Sequence, residues 1–145
     1  MRIATVIALL GVAAAAAPSA GAQGVAGKWS IVWDSDITVD HDTAIVKKRS
    51  TGTLEFTVKG DSVSAVWNGG VGQGTQLRGT FDGKALRMTT GTNERVIKRN
   101  GEDIKMPVRW DMNGALQGQK LSGLMFIYIS DRTAPGRRWE AQRVP

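Results

Sequence analysis

The sequence predicts an all-β domain, an antiparallel up-and-down barrel of about eight strands. Two observations carry this. From Gly24 onward almost every segment either alternates apolar with polar residues or is rich in β-branched and aromatic types, and turn residues recur every eight to twelve positions or so. No stretch of helical period follows the first two dozen residues.

The first strand is expected over Gly27 to Trp33, with Trp29, Ile31 and Trp33 on one face, followed by an acidic loop from Asp34 through Asp42. A long strand from about Ala44 to Val58 carries Leu54, Phe56 and Val58 on one side. Lys59-Gly60-Asp61-Ser62 turns the chain into Val63, Ala65 and Trp67. The glycine-rich Asn68 to Gly74 stretch reads as a loop, because no helix or lysine follows it as a phosphate cradle would require. Gln76 to Phe81 and Lys84 to Thr90 form a hairpin about Asp82-Gly83. A short strand near Arg95 to Arg99 reaches Asn100-Gly101, a second hairpin signal.

Beyond it Ile104, Met106, Val108, Trp110 and Met112 alternate with Lys105, Pro107, Arg109 and Asp111. Pro107 has no amide hydrogen, so its donor position is expected at an edge or a bulge. Leu121 to Ile129 is apolar on both parities near Met125 to Tyr128, which predicts cover on both faces. Gly136 to Arg143 is the last strand, and the meander is thereby complete. Leu77 to Leu86 has a loose echo in Trp110 to Leu116 and onward to Gly123, read as repeated hairpin grammar rather than as a propeller or solenoid.

Met1-Arg2-Ile3, an apolar run to Ala17 and the Ala20-x-Ala22 pattern have the form of a secretory signal peptide. Residues 1–22 are expected to be removed near Ala22, leaving 23–145 as a single β-barrel domain in the periplasm or outside the cell. No second domain and no membrane span fit this length. Cysteine is absent, so neither disulfides nor lipid attachment are expected, and burial and sheet hydrogen bonds must hold the fold. Nineteen basic against thirteen acidic residues give +6, of which Arg2 carries one. That sign predicts weak attraction to anionic envelope surfaces, whereas nucleic acid is not an expected partner of an exported chain. Nothing indicates the oligomeric state.

Gly27-Lys28-Trp29 resembles the G-x-W signature that opens the first strand of lipocalins and other calycins. The closing Gly136-Arg137-Arg138-Trp139-Glu140-Ala141-Gln142-Arg143 resembles, with one extra residue, the G-x-W-x-A-x-R ending of a group of small secreted bacterial proteins that share this opening. The resemblance implies an eight-stranded barrel whose Trp29 plugs one end beneath a basic side chain, Arg138 or Arg143. Avidins share the opening, but the asparagine they carry two residues after the tryptophan is Ile31 here, which disfavours biotin.

Chemistry-bearing residues are sparse. With one histidine, His41, and no cysteine, multi-histidine zinc sites and thiol nucleophiles are not expected, and no nucleophile elbow or P-loop occurs. Asp34, Asp36, Asp40, His41 and Asp42 are five candidate ligands that could coordinate a hard cation such as calcium, but without EF-hand spacing they read as a solvated acidic loop. Neither enzymatic activity, a cofactor nor a resident metal is expected. Five tryptophans are the stronger clue. Trp33, Phe56, Trp67, Met88, Trp110 and Met125 fall on apolar parities, and a barrel of this size either fills with side chains or holds one small ligand. They are the expected lining of a site for a small apolar or amphipathic molecule. The competing expectation is a filled barrel that acts through its loops on an envelope component or an exported enzyme.

Overall fold

The structure, a computed structural model, describes residues 24–70 and 73–145. The segment expected to be a signal peptide, with its expected cleavage site, lies outside these residues. Among the described residues ten strands run in chain order: β1 Gly27–Asp40, β2 Thr43–Lys59, β3 Ser62–Asn68, β4 Thr75–Phe81, β5 Ala85–Thr89, β6 Asn93–Arg99, β7 Glu102–Gln117, β8 Lys120–Ile129, β9 Arg132–Thr133 and β10 Arg137–Arg143. All pairings are antiparallel. Eight strands close the barrel in the order β1, β2, β3, β4, β5, β7, β8 and β10, with β10 returning to β1.

The two strands outside that circuit are local elaborations of the meander. β5 pairs with the second half of β7, and β6 pairs with its first half along the same edge, so the two are halves of one leg interrupted at residues 90–92. β9 is a two-residue return against the end of β8.

Period-two alternation sets the core, since a sheet with one dry face sends every second side chain inward. Trp29, Ile31 and Trp33 are buried from β1, Leu54 and Phe56 from β2, and Val63, Ala65 and Trp67 from β3. Leu77 and Phe81 from β4, Leu86 and Met88 from β5, and Met112, Leu121, Met125, Trp139 and Ala141 from β7, β8 and β10 complete the circuit. Two glycines make room for indoles where strands and loops approach closely. A Cβ on Gly114 would stand 2.5 Å from Cζ2 of Trp139, and one on Gly70 3.2 Å from Cζ2 of Trp33.

The turns follow their residue chemistry. Asn100 and Gly101 both adopt positive φ, 54° and 82°, as a two-residue hairpin of this hand requires. Asp82 closes the β4–β5 turn by accepting from the amides of Lys84 at 2.9 Å and Ala85 at 2.7 Å. The carbonyl of Pro107 accepts from the amide of Ser130 at 2.8 Å. Carbonyl and amide of one strand residue point the same way, so the missing donor falls on the β8 side, just past the ladder's end at the Val108–Ile129 pair.

Two expectations are corrected. The acidic segment is not a loop: Asp34 to Asp40 continues β1, and only His41 and Asp42 turn the chain, with φ of 44° and 63°. Long pairing with β2 overrides its polar composition, because a two-stranded ribbon standing above the barrel has no dry face to demand alternation. Cover on the outer side of β8 is partial. Tyr128 lies under the Arg109 guanidinium at 4.2 Å and Phe126 lies beside Gly136, leaving both half-buried.

Candidate functional site

The two ends of the barrel differ. At one end the chain crosses beneath β1 and seals it. Val25 is fully buried, its carbonyl accepts from the Trp29 indole nitrogen at 2.9 Å, and Arg143 covers Trp29 with its guanidinium carbon 4.7 Å from the ring. Arg143 also donates to the carbonyls of Ala26 and Gly24, both at 2.6 Å. Of the two arginines offered by the sequence, Arg143 takes this position. Arg138 lies at the opposite end, where its side chain is exposed and its amide bonds to Asp34.

The other end is a mouth between two projecting ribbons, the tips of β1–β2 and of β6–β7. Its floor is a row of indoles. Trp67 stands edge-on to Trp33 at 4.9 Å and to Trp110 at 5.1 Å, with interplanar angles of 86° and 68°, an arrangement aromatic quadrupoles favour. Below this row the interior is filled by Phe56, Met88, Met125 and their neighbours.

Above it lies a cavity of about 750 Å³, within the roughly 300–1,000 Å³ usual for small-molecule sites. Trp33, Trp110, Val108, Ile127, Ile129 and Met106 supply its apolar wall; Ser35, Asp36, Lys48, Ser50, Gly70, Arg95 and Arg137 complete it. Of the six residues expected to line a ligand site, Trp33 and Trp110 therefore border the cavity. Trp67 lies in the floor row behind them, and Phe56, Met88 and Met125 belong to the filled interior.

Three bordering cations lie on the inward parity of their strands. Arg137 precedes Trp139 by two residues, Lys48 belongs to the series Ser50, Gly52, Leu54, and Arg95 sits directly opposite Met106. That parity was readable in the sequence, but parity alone does not fix a side chain's height along the barrel. The register above the barrel places them over the cavity.

A β-bulge shapes this rim. Asp34 pairs with Arg49 and Asp36 with Lys48, so Ser35 is an extra residue on β1, and a second shift follows before Ile37 pairs with Val46. Asp34, only 5% exposed, accepts from Arg49 Nε at 3.2 Å and from the Arg138 amide at 3.3 Å. Arg137 Nη1 donates to the carbonyls of Ser35 at 2.5 Å and Asp34 at 3.4 Å, which holds the guanidinium across the rim.

A second, more polar cavity of about 660 Å³ opens through the wall beside the first. The β4–β5 ladder stops at the Arg78–Thr89 pair and β6 pairs only with β7, so Thr75 to Leu77 have no ladder partner on that side. Arg95, Val108 and Trp110 border both cavities.

Among the described residues no group of three or more His, Asp or Glu side chains converges as metal ligands would. Asp40 and His41 interact at the ribbon tip at 2.6 Å, while Asp34 is turned to Arg49. No helix among these residues is long and apolar enough to cross a membrane. No protein-family model, curated protein or solved structure matches the chain, so the reading of this site rests on its geometry.

Proposed function

We propose that the protein is an exported barrel that binds one small apolar or amphipathic molecule at its mouth and performs no chemistry on it. The observation that supports this most is the cavity over the indole row, whose apolar wall is drawn from β1, β7 and β8 and left uncovered by the described residues. Burying a ligand's hydrocarbon there would gain about 25 cal/mol per Å² removed from water. The decisive experiment is native mass spectrometry on protein purified from its producing cells and, separately, after incubation with dodecanol. One molecule of adduct in either sample, released on denaturation, supports the reading. Bare protein in both overturns it.

A second reading has its own observation. Val39 on the β1–β2 tip and Val96 on β6 are 57% and 58% exposed, and Ile45 and Val46 are also open. Apolar side chains on projecting ribbons suit a protein partner, in keeping with a filled-barrel interaction module. Co-purification of one stoichiometric protein, lost on replacing Val39 and Val96 by Ser, would establish it.

A further inference from the structure

We infer that the guest is an amphiphile with an anionic head, a carboxylate or phosphate, seated with its chain against the indole row and its head among Arg137, Arg95 and Lys48. The inference rests on the mouth cavity being the binding site, and it adds the chemistry of the head. Three cations and one acid, Asp36, border an otherwise largely apolar space. None of the three cations is within ion-pair distance of a carboxylate among the described residues, whereas Arg49, one position from Lys48, is paired with Asp34. Positive charge beside apolar surface is therefore left for a ligand to neutralise; Lys48 and Arg95 are exposed and Arg137 half-buried, so a charge-assisted bond there strengthens as the ligand's chain excludes water.

Geometry distinguishes the two arginines. Arg137 is held in place through Nη1, and its Nε is buried with no acceptor among the described residues. Arg95 lies over Trp110 with its guanidinium carbon 5.8 Å from the ring, and both residues border the cavity. Trp110 is itself 7% exposed, with an indole N–H that has no acceptor among the described residues. A neutral hydrocarbon would leave the three charges without a counterion, and a cationic amphiphile would be repelled.

The test is calorimetric titration of the protein, below micelle-forming concentrations, with four probes: dodecanoate, dodecyl phosphate, dodecanol and dodecyltrimethylammonium. Inorganic phosphate is the fifth. The better anionic amphiphile should bind about tenfold or more tighter than dodecanol, and high salt should narrow that gap. Whichever of dodecanoate and dodecyl phosphate binds tighter identifies the head. The double variant Lys48→Gln, Arg95→Gln, whose side chains make no hydrogen bond among the described residues, should cut the anion's advantage over dodecanol severalfold, with the remainder held by Arg137. Equal affinity of dodecanol and both anions would overturn the anionic head while preserving the cavity. Inorganic phosphate binding as tightly as dodecyl phosphate would overturn the amphiphile. No binding by any of the chains would remove the cavity reading as well.

Discussion

Arg143 and Trp29 hold the sealed end of the barrel together from its last and first strands, the guanidinium lying over the indole while its two terminal nitrogens bind carbonyls of the segment before β1. The first and last strands of the barrel are thus joined both by their ladder and by one side chain. Arg143→Ala should destabilise the fold by roughly 1–3 kcal/mol, and Arg143→Lys should recover only part of this because lysine lacks the fork. Arg138→Ala, at the other end, should change the urea midpoint little. Equal effects of the two alanine variants would refute the assignment.

Trp67 is fully buried between Trp33 and Trp110. Trp67→Ala should cost about 3–5 kcal/mol, a large share of the roughly 5–15 kcal/mol of a typical domain, so Trp67→Phe is the practical variant. It should fold, lower the unfolding midpoint, and weaken the near-ultraviolet circular dichroism that edge-on indoles produce together. Retention of that spectrum would mean that the indole row is not coupled through Trp67.

Gly114 has no room for a methyl group beside Trp139. Gly114→Ala should destabilise by about 1–3 kcal/mol through overpacking. Adding Trp139→Phe, which shortens the opposing ring, should make the double variant less unstable than the sum of the single changes, with a coupling on the order of 0.5–3 kcal/mol. Strict additivity in chemical denaturation would contradict the contact.

Asp82 has its carboxyl held below the usual carboxylate range, first by the amide of Ala85 and then by that of Lys84. A lowered folded-state value means that the ionised form favours folding. The contribution is therefore fully present above the unfolded value, about pH 4, and is lost as pH falls through the folded value. The stability difference between the native chain and Asp82→Ala should be constant near neutrality and shrink in acid, as measured by denaturant unfolding across that range. A difference that grows on acidification would reverse the assignment. Glu140 is shifted the same way by its hydrogen bond to Lys120, and Lys120→Ala should remove that part of the acid dependence.

Strand identity and facing were legible residue by residue. Trp29, Ile31 and Trp33 alternate with polar neighbours, and inward burial of alternate side chains is a local consequence of the pleat. Asn100-Gly101 was likewise sufficient for its turn, because the φ values it needs are those asparagine and glycine tolerate. The ribbon from Asp34 to Asp40 was not legible, since cross-strand pairing with β2 holds it and no apolar pattern marks it. Nor was the division of the six apolar candidates, all of which face inward while only Trp33 and Trp110 reach the cavity.

By itself, then, the sequence determined an antiparallel barrel, its inward faces and most of its turns, since these depend on near-neighbour chemistry. Tertiary structure alone decided which end closes, that Arg143 rather than Arg138 covers Trp29, and that Lys48, Arg95 and Arg137 share one rim with Trp33 and Trp110. Parity tells a side chain which face to take, but its height along the barrel follows from register, bulges and closure. Those are set by pairings between residues as distant as Trp29 and Arg143, which no local pattern encodes.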